Sequence, residues 1–349
     1  KRGHYVNGHV DLLTPIWENR PSLPTNPAYT LSVETTGLST LEKIKNIKNQ
    51  MKYLQSDAHL VSSLDDLAWI FNIRGTDVSC NPVVLGFAYF DERHTQLYIA
   101  DGKLNDKDKI ELESYGIEIK EYSSIYDTLS TLQAKTSILI DPKKTCFAIY
   151  DSIPKHVNIV EHMNPSSTMK TLKNEIEIAH TRNAMINDGI ALTKFFKWIE
   201  ENVETKELTE LSIAAHLRNL RAEQPGFKDV SFTTISGYKA HGALPHYSAT
   251  EESNSTLLPE GLLLVDSGGQ YLTGTTDITR VVSLGKLTQE EKDDYTYVLK
   301  GMIDGCMAIF PKGTRGYQID AITRRPMWQT LRNYGHGTGH GVGFFLNVH

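Results

Sequence analysis

The sequence predicts an α/β (α+β) protein of two successive mixed domains, and three observations carry that expectation. Residues 39–163 alternate helix-like and strand-like segments, the pattern of a compact α/β domain. From residue 164 a long amphipathic stretch gives way to continuous apolar runs that end in Gly, Thr and Asp. Polar residues suited to a site gather in this second part, where five of the 13 histidines lie between His241 and His349.

Residues 1–38 come first and are the least regular. Pro15, Pro21, Pro24 and Pro27 surround Trp17 and Arg20, and proline at that density favours extended backbone over helix. This stretch is expected to be the remnant of a preceding domain followed by a linker. Ser39 and Glu42 then have capping-box spacing. The helix they start places Leu41, Ile44, Ile47 and Met51 on one face. Strands are expected at 59–62, 83–89, 96–100 and 137–140. Residues 67–75 between them form an apolar core segment that turns at Gly75.

Asn164-Pro165-Ser166-Ser167 marks a break, so the expected divisions are 1–38, 39–163 and 164–349. A long helix follows, with Leu172, Ile176, Ala179, Ile186 and Ile190 as its apolar stripe. A second helix, about 210–223, stops at Pro225-Gly226. Strands are expected at 230–236, 261–267 and 278–284. Thr288 and Glu291 repeat the capping-box spacing and start a helix running to about Phe310.

Composition narrows the function class. A net charge of -6 argues against general affinity for nucleic acid or an anionic membrane. No apolar run approaches the ~18 residues of a membrane span. Cys80, Cys146 and Cys306 lie far apart with no CxxC pair, which suits a reducing compartment and gives neither a disulfide framework nor a thiolate zinc site. A cytoplasmic location is therefore expected. The start at Lys1-Arg2-Gly3 and the end at His349, straight after a Gly-rich apolar stretch, lead us to expect a segment of a longer chain.

Three segments carry chemistry. Leu262-Leu263-Leu264-Val265-Asp266 puts a carboxylate at the end of a buried strand, where it needs a partner, hydrogen bonds or a metal. Asp277 stands just before the next strand, and Gly268, Gly269 and Gly274 between them allow a hairpin that brings the two together. Paired buried carboxylates repel, and a divalent cation is one remedy. Each Asp alone could equally cap a turn, and Arg280 could neutralise Asp277. The third segment is His336-Gly337-Thr338-Gly339-His340-Gly341-Val342-Gly343. Two histidines four apart suit a zinc-peptidase helix, but glycines costing ~1 kcal/mol each in a helix and the absence of the central Glu exclude it. We expect a Gly-rich loop entering a strand, with both imidazoles free to approach a ligand or metal. A phosphate-cradling loop is the weaker alternative. His246 and His349 carry little signal individually.

Together these segments resemble the pita-bread metallopeptidases, the family of aminopeptidase P, prolidase and methionine aminopeptidase. Val-Asp-Ser-Gly, Gly-Thr-Thr-Asp-Ile-Thr-Arg and His-Gly-Thr-Gly-His-Gly-Val-Gly stand in that family's order, and the two Asp residues are spaced as in the family. Residues 68–75 favour its long, three-domain Xaa-Pro aminopeptidase type. The resemblance implies a creatinase-like middle domain followed by an incomplete pita-bread domain. It further implies two divalent metal ions, usually Mn2+, with Asp266, Asp277 and His340 as ligands and His246, His336 and His349 holding substrate and assisting proton transfer. The implied reaction is hydrolysis of an N-terminal Xaa-Pro bond by water or hydroxide bridging the metals. The implied partners are peptides with proline second and, in many members, a second copy of the chain. Two Glu ligands that the family supplies downstream have no match here, so low activity is expected of residues 1–349. A prolidase-type dipeptidase and a metal-free peptide- or protein-binding module are the alternatives.

Overall fold

The computed structural model describes Val10 and residues 12–349, so positions 1–9 and 11 of the expected domain remnant lie outside the described residues. The chain divides into two compact units. One comprises residues up to 182 together with 343–347, and the other 183–342 with 348–349.

In the first unit, helix α1 (Thr40–Tyr53) opens with the expected capping box. The Ser39 hydroxyl accepts from the Glu42 amide, and the Glu42 carboxylate accepts from the Ser39 amide. Its buried face holds Ile44, Ile47 and Met51 as expected, whereas Leu41 is exposed and Lys43 is buried. The Lys43 ammonium donates to Trp69 O at 2.9 Å and Asn72 Oδ1 at 2.5 Å, over the Trp69 ring. Burial pushes it down to about 7. A short helix at Val33–Thr36 follows the proline-rich stretch, where extended chain was expected.

Then come β1 (Ala58–Val61), α2 (Leu64–Ile70), β2 (Gly86–Phe90), β3 (Thr95–Ile99), α3 (Asp106–Ser114), β4 (Glu118–Glu121), β5 (Ser137–Ile140) and β6 (Asn158–Glu161). The strands form one mixed sheet in the order β4-β3-β2-β1-β5-β6. The β1–β2 and β2–β3 pairs are antiparallel and the others parallel. Every residue of β1, β2, β3 and β5 is buried, as in strands covered on both faces. Residues 83–85, expected within a strand, lie outside β2 because their amides are diverted. Val83 N donates to Asn81 O and Leu85 N to the Asp77 carboxylate.

Two buried charged groups tie this unit together. Asp66, in the first turn of α2, accepts from Ser63 Oγ, from Asn164 Nδ2 at 3.1 Å, and from Ser167 Oγ and Lys170 Nζ at 2.7 Å. Burial alone would raise its carboxyl pKa, but the Lys170 charge and the donated hydrogen bonds hold it below the usual range. Arg74 is also fully buried. Its guanidinium donates to Phe345 O and, at 3.1 Å, to Phe344 O, as well as to Ala68 O and Ile73 O at 2.9 Å. Leu346 of the same returning segment joins the unit's core.

Helix α4 (Glu175–Asn202) contains the division point between the units. The expected apolar stripe is not its buried face. Leu172 precedes the helix, and Ile176, Ala179, Ile186 and Ile190 are exposed. Besides Glu177 in the first turn, the buried positions are Ala184, Asp188, Ala191, Leu192, Phe195 and Ile199. They too are spaced three and four apart, but Asp188 interrupts their apolar pattern.

The second unit continues with α5 (Glu210–Ala222), which stops before Pro225 as expected. The strands are β7 (Phe227–Val230), β8 (Ile235–Tyr238), β9 (Leu262–Ser267), β10 (Gly269–Tyr271), β11 (Gly274–Thr275) and β12 (Ile278–Ser283). They form two three-stranded antiparallel sheets, β8-β9-β12 and β7-β10-β11. The single strand expected at 230–236 is therefore a crossing between sheets. Ser231 leaves the ladder there, with its amide donating to Gly268 O and its hydroxyl to Thr276 O. Helix α6 (Gln289–Met307) has the expected Thr288–Glu291 capping box and ends short of Phe310. Helix α7 (Gly316–Trp328), which contains Pro326, was not anticipated. Among the described residues no helix is long and apolar enough to cross a membrane.

The Asp66 cluster makes stability depend on pH. A carboxyl held below its unfolded value contributes stability above that value, near 3.9, and loses it as pH falls through the folded value. Asp66→Asn is expected to cost about 1–3 kcal/mol at pH 7. Urea unfolding from pH 6 to pH 3 should show the gap to wild type closing at the acid end.

Candidate metal centre

Strand β9 alternates cleanly. Leu263, Val265 and Ser267 face the buried side, while Leu264 and Asp266 face the half-buried side. On the buried side Arg221 and Asp188, both fully buried, are joined at 2.6 and 3.0 Å. Arg221 also donates to Ser267 Oγ, and Tyr271 OH donates to Asp188. This network fixes the end of β9 from behind, and Asp266 stands on the opposite face.

The ladder then brings the second carboxylate close. Asp266 pairs with Thr279 and Ser267 with Ile278, so Asp277 lies one residue beyond the paired end of β12. A crossing at Gly268 closes the gap. A Cβ on Gly268 would meet Thr276 O at 1.9 Å and Ser231 Oγ at 2.2 Å, so only glycine permits this approach. Thr276 is clamped in turn, with its amide donating to Gly269 O and its hydroxyl accepting from Gly269 N. The hairpin expected between the two Asp residues is thus present, with the small β10–β11 pair inserted in it.

The electrostatics of the pair are unfavourable as they stand. Burial first, and the nearby Asp266 second, raise the Asp277 carboxyl pKa above the usual range, while His340 and His349 ease it. Asp266 Oδ1 is buried without a hydrogen-bond partner. His340 Nε2 lies 3.2 Å from Asp277 Oδ2. The other ring nitrogen, Nδ1, donates to Gly341 O at 2.9 Å. That bond places the proton of a neutral imidazole on Nδ1 and leaves the Nε2 lone pair facing a carboxylate oxygen. Two electron donors facing each other require a positive charge, a proton or a metal ion, at that place. Their separation is close to the ~3 Å between neighbouring donors around a small cation with bonds of ~2.1 Å. The His349 ring stands edge-on to His340, with centroids 5.0 Å apart.

The loop bearing these histidines is held by α7. Asp320 and Arg324, one turn apart, form an ion pair at 2.8 Å. Arg324 donates to Tyr334 O at 2.6 Å and His336 O at 2.5 Å, and Thr338 Oγ1 donates to Asp320. Sequence reading missed both residues. The i,i+4 Asp–Arg pair was the available signal, obscured by the proline inside the same helix.

Asp266, Asp277, His340 and His349 are therefore brought together. His336 is exposed, its ring against Tyr334 and its Nδ1 donating to Gly337 O. His246 is exposed in the loop after the 3₁₀ turn Lys239–Ala243. The glycine-rich segment does not enter a strand. Among the described residues, 329–349 pair with no neighbouring strand, and Gly343 N bonds locally to Asn347 O. Nor do any three His, Cys, Asp or Glu side chains among the described residues close to metal-binding distance. By donor chemistry, the unpartnered Asp266 oxygen and the opposed His340–Asp277 lone pairs, the residues fit a hard divalent cation.

Comparison with known proteins bears on the same segments. The Creatinase/Prolidase N-terminal domain family matches residues 19–177, and Metallopeptidase family M24 matches residues 179–349. Xaa-Pro aminopeptidase 1 of Dictyostelium discoideum is 42% identical over 338 residues, covering 95% of this chain and 53% of that protein. Aminopeptidase P1 of Arabidopsis thaliana is 32% identical over 396 residues, covering 100% of this chain and 61% of that protein. The crystal structure of an X-prolyl aminopeptidase from Caenorhabditis elegans, described as a cytosolic enzyme with a di-nuclear active site, superposes with a TM-score of 0.92. It is 33% identical and matches 97% of this chain and 56% of its own. The chain thus spans about half the length of the curated relatives it matches.

Three substitutions test this geometry. Gly268→Ala is expected to destabilise the protein by at least about 1–3 kcal/mol through overpacking. Gly316→Ala, where an added Cβ meets nothing within 4 Å, should leave the urea midpoint unchanged or slightly raised. Asp277→Asn should stabilise the metal-free protein by up to about 1 kcal/mol at pH 8, where an imidazole is ordinarily neutral, by removing one of two repelling charges. A carboxyl held above its unfolded value opposes folding once ionised, so the gain should shrink as pH falls through that range.

Proposed function

Since residues 179–349 belong to metallopeptidase family M24 and the chain is homologous over most of its length to Xaa-Pro aminopeptidases, we propose that the natural gene product is a metal-dependent aminopeptidase. It releases the N-terminal residue from peptides whose second residue is proline. The observation that carries the reading is His340 Nε2 facing Asp277 Oδ2 beside the unpartnered Asp266 oxygen, a donor set that a divalent ion would complete.

In this reading Asp266, Asp277 and His340 hold divalent ions, Mn2+ being the best match to a carboxylate-rich set with few imidazoles. Bound there, such ions polarise a carbonyl and lower the pKa of water. The protein's own groups do the rest. The Gly341 carbonyl fixes the His340 tautomer, so that Nε2 remains a donor of electrons. His349, exposed at the edge of His340, can donate a hydrogen bond to an oxygen on which charge develops. His246 and His336, both exposed, hold the proline-side carbonyl and move protons to and from the leaving amine. Xaa-Pro bonds need a dedicated site because the tertiary amide has no N–H and a fixed ring. Three cysteines far apart in the sequence, with no CxxC pair, fit a cytoplasmic setting. Residues 1–349 alone offer three candidate ligands, so we assign them weak metal binding and little activity.

Manganese-supplemented natural gene product should release Xaa from Xaa-Pro tripeptides and leave Xaa-Ala peptides uncut. Asp266→Asn should lower kcat/KM by more than the roughly 10- to 100-fold that loss of an outer-sphere partner costs. Absence of release with metal bound would sink the proposal, and cleavage confined to dipeptides would redirect it to a prolidase. Calorimetry on residues 1–349 should give a manganese Kd on the order of 10⁻⁴ M or weaker. Tight two-site binding would refute the assignment of weak binding.

A further inference from the structure

Glu210 opens α5, is fully buried, and takes no part in the centre described above. Its carboxylate accepts from Tyr238 N at 2.8 Å, His241 Nδ1 at 2.9 and 3.1 Å, Tyr247 OH at 2.8 Å and Ser255 N at 3.0 Å. Each donor comes from one stretch of chain, 238–255, which leaves β8 and carries His246. The His241 and Tyr247 rings stack at 4.3 Å, and Tyr247 OH also reaches Ser253. The main chain of α5 adds to this, with Glu210 N donating to Ser255 O and Glu210 O accepting from Ser236 Oγ.

The loop is thereby folded against a particular face. A Cβ on Gly237 would meet the Gly242 backbone at 2.7 Å, and one on Gly242 would meet Leu264 Cβ at 3.4 Å. Leu264 stands two residues before Asp266 on the same half-buried face of β9. So the turn preceding His246 covers the face that presents Asp266. A carboxylate that served α5 alone would need only the helix's own amides. This one is filled by donors from the loop.

We propose that Glu210 is a positioning residue: its carboxylate gathers Tyr238, His241, Tyr247 and Ser255 and so sets where the adjoining His246 stands over the Asp266 face of β9. The inference rests on the reading in which His246 handles substrate. Glu210 touches no reacting atom and acts through the loop.

Two measurements test it separately. The first needs no activity. In residues 1–349, Glu210→Ala should speed amide exchange across 238–255 by at least about tenfold while β9 and β12 keep their protection. Glu210→Gln, which retains an oxygen acceptor, should fall between the two. Unchanged exchange in the loop, or equal loosening throughout both sheets, overturns the proposal. The second uses the natural gene product with manganese. Glu210→Ala should lower kcat by about 10- to 100-fold, as loss of an outer-sphere partner does, with manganese affinity unchanged and partial rescue in Glu210→Gln. Loosened loop exchange with kcat unaltered overturns it, as does loss of activity only in step with manganese binding. Should Glu210→Ala fail to fold, Tyr247→Phe removes one donor while keeping the ring stack and should give the same pattern at smaller size. If the wild type releases no Xaa from Xaa-Pro peptides, the functional reading fails alone, because the exchange experiment still decides the role of Glu210 in the loop.

Discussion

Two carboxylates at the ends of neighbouring strands repel, and much of the second unit is arranged to keep Asp266 and Asp277 in place regardless. The β9–β12 register puts them at the same end of the sheet. Gly268 removes the side chain that would separate them, and Ser231 and Thr276 lock the crossing. Behind β9 the Asp188–Arg221 pair holds Ser267. A buried pair of that kind adds little net stability and loses much when one partner is removed, so it serves to fix geometry. The resulting strain is local and electrostatic, of the kind that a bound cation would relieve.

The histidine loop follows from the same constraint. A glycine-rich segment has no intrinsic reason to hold one conformation, since each glycine adds freedom that ordering must remove. Arg324 answers this by capturing the Tyr334 and His336 carbonyls, while Asp320 takes the Thr338 hydroxyl. The helix α7 thus substitutes for the strand that the segment does not form. His340 is left with one ring nitrogen committed to Gly341 O and the other turned to Asp277.

What was legible in the sequence was local or periodic. The Ser39–Glu42 and Thr288–Glu291 capping boxes, the stop before Pro225 and the apolar strand ending at Asp266 all depend on residues within one turn or one strand. What failed depended on distant partners. The stripe named for the first helix left out Lys43, whose buried partners Trp69 and Asn72 lie well downstream in the sequence. The true buried face of α4 was hidden because Asp188 interrupts it, and Asp188 is acceptable there only because Arg221 comes from another helix. Residues 230–236 read as one strand because nothing in their composition reveals that Ser231 bonds to Gly268 and Thr276. Glu210 was likewise invisible, since a Glu in the first turn of a helix is ordinary. The motif at 336–343 pointed to His336 and His340, but the tautomer of His340 follows from its bond to Gly341 O, which only the structure shows.

The Arg74 guanidinium has a consequence for how the chain is made. Two of its four acceptors, Phe344 O and Phe345 O, and the core residue Leu346 are synthesised after the whole 183–342 stretch. At the usual pace of a ribosome those 160 residues take on the order of ten to thirty seconds. Throughout that interval the N-terminal unit lacks the segment whose carbonyls receive two bonds from a buried cation. Its last hydrogen bonds therefore wait on the translation of another unit, and the two cannot be separated by a single cut in the gene without leaving Arg74 with an unfilled need.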